Sequence, residues 1–361
     1  MKKNIWFVLL ILVGVTVAVF LGNNFFSESK ETAVINSIQI ETPVAQEEST
    51  TAEIQTLEKQ TKQTKQTKQT NIPQVDSERL FADVQNLSFQ RFTDSERRRT
   101  RNYIINELKK QGWESSLEQF PRGVNIFAEK PGTDSEAGAI LLAAHYDTVL
   151  NSPGADDNAT GVAVLLEIAR LFNSDSTPRT LQLAFFDQEE AGLLGSRAFV
   201  NNKARLQNLR GVIVMDMVGY ACYTAGCQKT PSGFPITPTS DKGDFLAVVG
   251  DTEHLPLINT FKNVGENINN SSQLPPVFTL PVPLKGVLTP DVLRSDHAPF
   301  WLQGIGALLV TDTANLRSSF YHQPSDTPDN IERDFFAGAA QLVVNVTNSL
   351  LEGSGSLETP S

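Results

Sequence analysis

Residues 180–199 read TLQLAFFDQEEAGLLGSRAF. The apolar first part predicts a buried strand, and the glycine-bounded end leads into a helix. Between them stand three carboxylates within four residues, at Asp187, Glu189 and Glu190. Like charges repel at close range, and burial raises the cost of keeping them ionised. The stretch therefore predicts a strand, a loop and a helix, with positive charge beside the loop.

Strands and helices alternate along the chain on both sides of this unit. Further apolar runs predict strands at residues 139–149, 211–219, 244–250, 276–282 and 306–313. Other segments predict helices at residues 161–172, 195–206, 254–268, 295–303 and 333–351. Continuous apolar strands that alternate with helices are typical of parallel sheets covered on both faces. We therefore predict an α/β fold, with a mostly parallel twisted sheet, helices on both faces and ligands beyond the carboxyl ends of the strands.

The composition argues against one class of partner. The 361 residues carry a formal net charge of −11, with 40% apolar and 20% charged residues. No broad basic surface is visible that would neutralise phosphates, so we expect no nucleic-acid partner. An arginine-rich segment at residues 93–113 predicts a helix whose arginines form a solvated face.

The two ends of the chain differ from its middle. Lys2 and Lys3 precede an apolar run, so residues 1–22 predict either an uncleaved signal anchor or a cleaved signal peptide. We expect an exported protein, anchored in the membrane by this segment, or secreted if the segment is removed. Residues 23–75 contain the run TKQTKQTKQT and predict a disordered tether. A globular domain follows over residues 76–352, and residues 353–361 predict a flexible tail.

The only two cysteines, Cys222 and Cys227, lie five residues apart with a glycine between them. An exported compartment permits a disulfide between them, and the alternative is two free thiols in a loop. Both cysteines lie in a long loop at residues 220–244, which we expect to shape a substrate pocket.

Carboxylates and histidines stand at successive predicted strand ends. Imidazole and carboxylate groups together are suitable ligands for Zn²⁺. Two zinc ions that share one bridging carboxylate can use a set of this size, and they supply the positive charge that the loop at residues 187–190 needs. The candidates, in chain order, are His145, Asp147, Asp156, Asp157, Glu189, Glu190, Asp216 and His322.

This order of residues resembles that of the clan MH zinc exopeptidases, the group that contains bacterial leucyl aminopeptidases, the Streptomyces-type aminopeptidase and glutaminyl cyclases. The resemblance extends from about residue 90 to about residue 345 and covers nearly all of the globular part. The stretches that carry it are AAHYDTV, PGADDNATG, FFDQEEAGLLGSRAF, VMDMVGY, RSDHAPF and YHQPSDTPDNI.

The resemblance implies a role for each candidate residue. His145 and Asp216 would bind one zinc ion, Glu190 and His322 would bind the other, and Asp157 would bridge the two. Asp156 would then be a neighbour that binds no metal, which spacing alone does not decide. Glu189 would be the general base, and Asp147 would orient the imidazole of His145. Tyr321 would stabilise the oxyanion, and Arg294 would contact the substrate. Asp296 would lie behind the metal ligands without binding metal.

The resemblance also implies hydrolysis of the N-terminal peptide bond of peptide substrates by a monomeric catalytic domain with two zinc ions. One departure is the sequence HQPSDT, where relatives have a His-Thr-Pro pattern near the last ligand. The alternatives are a glutaminyl cyclase with one zinc ion, a dipeptidase, carboxypeptidase or amidase on the same scaffold, and a non-catalytic receptor domain. The complete ligand set favours the two-zinc aminopeptidase.

Overall fold

The computed structural model describes residues 72–174, 176–230, 238, 240–268 and 274–360. The predicted signal segment and almost all of the predicted tether lie outside these residues. In the part that is described, no helix is long and apolar enough to cross a membrane.

One sheet of eight strands organises the described residues. The strands are β1 (Ser115–Phe120), β2 (Gly123–Lys130), β3 (Ala139–His145), β4 (Thr180–Phe186), β5 (Leu209–Met215), β6 (Leu246–Asp251), β7 (Val277–Val282) and β8 (Ala307–Thr311). The α-helices are α1 (Ser77–Leu87), α2 (Asp94–Lys110), α3 (Gly161–Leu171), α4 (Leu194–Asn201), α5 (Lys203–Leu206), α6 (Leu255–Ile268), α7 (Ala298–Leu302) and α8 (Arg333–Glu352).

The strands lie in the order β1-β2-β4-β3-β5-β8-β6-β7. The four central strands, β4, β3, β5 and β8, pair in parallel, and β6 joins β8 in the antiparallel direction. The hairpin of β1 and β2 extends the sheet beyond β4. The prediction of a mostly parallel sheet is therefore confirmed. The hairpin was not predicted, because β1 is a half-exposed edge strand without a continuous apolar run.

Both faces of the sheet are covered, as predicted. Along β3, Ile140 and Leu142 belong to one apolar core, whereas Leu141 and Ala143 belong to a second core. Successive side chains of a strand point to opposite faces, so these are the two sides of the sheet. The first core contains residues of α1, α2, α3, α6 and α8, and the second contains residues of α4 and α7.

Helix α2 corrects the prediction of a solvated arginine face. The helix begins with a capping box between Thr93 and Glu96. Arg97 and Arg101 are buried and form ion pairs with the buried Asp187, at 2.8 Å and 3.4 Å. These two arginines supply the positive charge for one of the three carboxylates after β4. The prediction was wrong for them, because the helix face that packs against the sheet meets a strand end that carries charge.

The loop and tail that flank these elements make specific contacts. Cys222 and Cys227 form a disulfide. In the segment predicted as a flexible tail, the backbone amide of Thr359 donates to the carbonyl of Glu253 at 2.7 Å. Arg179 donates to the carbonyl of Gly355 in the same segment. Residues 353–360 therefore lie against the domain.

Candidate metal centre and active site

The site lies at the point of the sheet where consecutive strands are placed on opposite sides of β3. The chain passes from β3 to β4 on one side of β3 and then crosses to β5 on its other side. Ligands of open α/β sheets bind at such a point, beyond the carboxyl ends of the strands. His145 ends β3, Asp216 directly follows β5, and the loop with Glu189 and Glu190 follows β4.

The first group of donor atoms surrounds His145, which is almost completely buried. Its Nε2 atom lies 3.3 Å from Oδ1 of Asp157 and 3.5 Å from Oδ1 of Asp216. The donor atoms of these three residues lie within 4.8 Å of one another. One imidazole and two carboxylates at this spacing form a donor set of the type that Zn²⁺ uses in proteins.

The second group surrounds His322, which follows β8 in the chain. Its Nε2 atom lies 3.2 Å from Oδ2 of Asp157 and 3.1 Å from Oε2 of Glu190. These three residues also offer donor atoms within 4.8 Å of one another. Asp157 belongs to both groups and presents a different oxygen to each histidine. This geometry is that of a carboxylate placed between two cation sites.

The charges around the two histidines are coupled. Although burial opposes charge on both rings, hydrogen bonds to the carboxylates raise the pKa of His322 to about 10 and that of His145 well above its usual range. Burial also opposes charge on Asp157, but the two histidines hold the pKa of that carboxyl below its usual range. Burial, reinforced by the charge of Asp157, raises the pKa of Glu190 to about 7. The carboxylates of the cluster thus stabilise a positive charge beside them, carried here by the protonated histidine rings.

Glu189 lines the same pocket but belongs to neither donor group. Its side chain is buried, and burial raises its pKa well above the usual range, against the opposing charge of His145. A carboxylate with a raised pKa that binds no cation can accept and return a proton.

Asp147 links the ends of β3 and β4. Its Oδ1 atom accepts the backbone amide of Glu189 at 3.0 Å, and its Oδ2 atom accepts that of Glu190 at 3.3 Å. The same Oδ1 atom lies 3.6 Å from Nδ1 of His145. Nε2 of this ring faces the donor group, so Nδ1 faces Asp147, as is usual for a histidine that binds metal.

The structure places the adjacent aspartates differently, which sequence spacing did not predict. Asp156 turns away from the two histidines and accepts the backbone amide of Gly219 at 2.9 Å. A third aspartate, Asp326, accepts the backbone amides of both Asp156 and Asp157, at 2.8 Å and 3.1 Å. Sequence reasoning missed Asp326, although it lies only four residues after His322.

The structure places the remaining candidates around these donors. The ring of Tyr321 stacks on that of His322 at 3.7 Å, and Arg294 donates to the Tyr321 hydroxyl at 3.0 Å. Asp296 is fully buried and accepts a hydrogen bond from Ser196. Burial raises the pKa of Asp296 to about 7, and Asp147 and Asp216 reinforce this shift while His145 opposes it.

A cavity of about 560 Å³ adjoins the donor groups. Residues of the loop after the disulfide, from Gln228 to Thr230, lie on its wall together with Pro238. The wall away from the donors is apolar, and sequence reasoning did not identify it. Its residues come from β6, β7, β8 and their flanks: Phe245, Ala247, Val249, Phe278, Leu280, Val292, Leu293 and Leu309.

Comparison with known proteins identifies the family of this chain. Residues 125–347 match Peptidase family M28, and they include all of the donor residues. The match covers more than half of the chain and identifies a hydrolytic peptidase; the chain belongs to Peptidase family M28.

Two relatives illustrate the similarity in sequence. The uncharacterised protein YfbL of Escherichia coli is 33% identical over 235 residues, which are 62% of this chain and 69% of that protein. The "Probable lipoprotein aminopeptidase LpqL" of Mycobacterium tuberculosis is 35% identical over 241 residues, which are 58% of this chain and 42% of that protein. The match therefore spans less than half of the length of the mycobacterial relative.

Two solved structures illustrate the similarity in fold. A leucine aminopeptidase precursor from Bacteroides thetaiotaomicron has a TM-score of 0.59 at 18% identity, over 79% of this chain and 99% of that chain. The glutaminyl cyclase of Porphyromonas gingivalis has a TM-score of 0.57 at 17% identity, over 77% of this chain and 99% of that chain. Both are similar in fold alone, and the fold does not distinguish the two activities.

Proposed function

We propose that the protein is an aminopeptidase that uses two zinc ions. The observation that carries the proposal is the position of Asp157, whose two oxygens face His145 and His322 at 3.3 Å and 3.2 Å. His145, Asp157 and Asp216 would bind one ion, and His322, Asp157 and Glu190 would bind the other. A relative named as an aminopeptidase, with 35% identity, supports the reaction class.

The residues of this chain would divide the work of hydrolysis. Bound zinc would lower the pKa of an attacking water and polarise the scissile carbonyl. Glu189 would accept the proton of that water and pass it to the leaving amine. The Tyr321 hydroxyl, held by Arg294, would donate to the developing oxyanion. Asp147 would keep the His145 ring oriented. Asp296 would lie behind the metal ligands as a buried residue that binds no metal itself.

The apolar wall of the cavity indicates which N-terminal residue would be preferred. Aromatic and aliphatic side chains of β6 and β7 line it, and apolar substrate side chains gain free energy by leaving water. We propose that the enzyme prefers peptides with a large apolar first residue. Arg294, at the rim of the cavity, would contact the substrate chain beyond the scissile bond.

We further propose that the catalytic domain works outside the cytoplasm. The disulfide between Cys222 and Cys227 is typical of oxidising compartments, and the name of the mycobacterial relative describes a lipoprotein. The apolar N-terminal run would serve as the anchor or as a cleaved signal. We also expect the catalytic domain to act as a monomer on peptides.

A peptide assay tests the proposed activity and its alternatives. The full chain, loaded with Zn²⁺, is incubated with peptides that carry free, acetylated or glutamine N-termini, and the products are identified by mass spectrometry. An aminopeptidase removes residues in steps from free N-termini only. Loss of ammonia from the glutamine peptides alone would instead establish a glutaminyl cyclase.

The assay has a matched pair of variants. Glu189→Gln keeps the size of the side chain, so we expect the loss of a proton acceptor to slow turnover about 100-fold or more without loss of zinc. Glu136→Gln makes the same change at an exposed position and should leave the rate unaltered. Equal rates for the wild type and Glu189→Gln would refute the assignment of Glu189.

A further inference from the structure

A fully buried arginine lies behind the shared carboxylate. Arg91 stands between α1 and α2, before the region that matches the family, and is 1% exposed. Its guanidinium reaches the segment that follows β3. Nε donates to the carbonyl of Tyr146 at 2.8 Å, Nη1 to that of Pro153 at 2.7 Å, and Nη2 to those of Gly154 and Asp157 at 2.9 Å and 3.5 Å.

The contacts of Arg91 enclose the segment at residues 146–157 from both ends. The backbone amide of Arg91 donates to Oγ1 of Thr148 at 2.9 Å. A Cβ atom at Gly154 would lie 2.6 Å from Nη2 of Arg91, so the chain approaches the guanidinium as closely as a glycine allows. The segment carries Asp147 at one end and Asp157 at the other, so the arginine spans the two aspartates.

The guanidinium also joins this segment to the end of α1. Nη1 donates to the carbonyls of Leu87 and Phe89, so three separate stretches of backbone meet at one side chain. In the described part of the chain, the hydrogen bonds of the Arg91 side chain all go to backbone carbonyls. The five fixed N–H groups of a guanidinium can reach these six carbonyls when Nη1 shares one N–H between two of them, whereas an ammonium group has only three donors.

We propose that Arg91 is a positioning residue that fixes the backbone of residues 146–157 and thereby sets the orientation of Asp157 between the two histidines. This inference rests on the proposed function, since it treats Asp157 as the carboxylate shared by two metal ions. Arg91 contacts no reacting atom and acts through the segment it binds.

A second buried arginine provides a matched control. Arg179 is 2% exposed and donates to the carbonyls of Ala137, Leu350 and Gly355. It directly precedes β4, so it lies at the amino ends of the strands, away from the donor groups by about the length of a strand, roughly 20 Å. Both arginines bind backbone carbonyls, but only Arg91 binds the segment that carries Asp157.

The test compares Arg91→Lys with Arg179→Lys in the full chain. Binding of Zn²⁺ is measured by calorimetric titration of the metal-free protein, and thermal unfolding of the metal-free proteins is followed by circular dichroism. We expect both variants to unfold at lower temperature than the wild type. We expect Arg91→Lys to bind Zn²⁺ about tenfold or more weakly, as after loss of a residue that orients metal ligands. Arg179→Lys should stay within about twofold of the wild type, because distant sites act independently.

Each outcome bears on the inference. Unchanged zinc affinity in Arg91→Lys, or an equal loss in both variants, would overturn it. A wild type that binds fewer than two zinc ions would overturn the proposed function as well. If Arg91→Lys does not fold, Thr148→Val decides instead, since it removes only the acceptor of the Arg91 amide. Weaker zinc binding in Thr148→Val supports the positioning role, and unchanged binding contradicts it.

Discussion

Oδ1 of Asp147 accepts the backbone amide of Glu189 at 3.0 Å. This hydrogen bond ties the ends of two adjacent parallel strands, because Asp147 follows β3 and Glu189 follows β4. The same oxygen lies 3.6 Å from Nδ1 of His145. One carboxylate thus holds the loop of the proposed general base and faces the ring of a proposed metal ligand. Asp147 therefore links the position of the proposed base to that of the proposed metal ligand His145.

The adjacent aspartates should differ in their effect on metal binding. Asp157 contributes to both donor groups, so we expect Asp157→Asn to weaken binding of both zinc ions. Asp156→Asn changes the neighbouring residue, which accepts from Gly219, and should still bind two ions. Zinc per chain, measured by atomic emission after gel filtration, distinguishes the two variants. Loss of only one ion from Asp157→Asn would contradict the shared role.

The buried ion pair of Arg97 should contribute more to stability than the neighbouring surface pair. Arg97→Met leaves the buried Asp187 with only the more distant Arg101 as its partner. Breaking a buried ion pair costs about 3 kcal/mol or more of unfolding free energy. Arg98→Met removes an exposed pair with Asp94 and should cost less than about 0.5 kcal/mol. Urea unfolding of both variants measures the difference in free energy, and equal values for the two variants would contradict the prediction.

The stability of the protein should depend on His297 at mildly acidic pH. Burial lowers the pKa of this ring to about 4, against the opposing hydrogen bond to the carbonyl of Val292. An unfolded histidine has a pKa of about 6.5, so between about pH 6.5 and pH 4 the unfolded chain binds the extra proton. The neutral, buried ring of His297 therefore costs no stability above about pH 6.5. As the pH falls from about 6.5 to about 4, the free energy of unfolding decreases by up to about 1.4 kcal/mol per pH unit.

Urea unfolding at about pH 7.5 and pH 5 tests this dependence on His297. His297→Gln cannot bind the proton, so we expect its unfolding free energy to fall less between the two pH values than that of the wild type. Other groups titrate equally in both proteins and cancel in the comparison. An identical loss of stability in the wild type and the variant would show that His297 does not cause the effect.

The apolar wall should determine the preferred N-terminal residue. Phe278→Ala removes a phenyl ring that lines the cavity, so a leucyl side chain loses an apolar contact. We therefore expect kcat/KM for leucyl substrates to fall about tenfold. Alanyl substrates do not reach as deep and should be less affected. Leu302→Ala changes a residue that is 72% exposed and serves as the control. Rates are measured with leucyl and alanyl p-nitroanilides, and a uniform change in both would place the specificity elsewhere.

Much of the fold and of the donor set could be predicted from the sequence. Strands such as β3 are buried on both faces, so they form continuous apolar runs that stop where a polar ligand stands. His145 and Asp216 were found in this way, because parallel strands bring their carboxyl ends to one edge. The assignment of Asp157 in place of Asp156 came from resemblance, since both lie in the same loop.

Other features could not be predicted because they depend on contacts between distant parts of the chain. Arg97 shares the buried face of α2 with Ile104, but a charged side chain is typical of exposed positions, and its partner Asp187 lies in a distant part of the sequence. Arg91 lies close to other arginines in the sequence, and four of the six carbonyls that it binds lie more than 50 residues away. The apolar wall consists of residues that also fit an ordinary core.

The two halves of the sheet carry different tasks. The proposed metal ligands and base stand after β3, β4, β5 and β8, whereas most of the apolar wall comes from β6, β7 and their flanks. Substitutions in this part of the wall would therefore change the cavity at positions that carry none of the proposed metal ligands. A protein built in this way could change its substrate preference during evolution through a few substitutions near the β6–β7 edge of the sheet, while the proposed reaction stays the same.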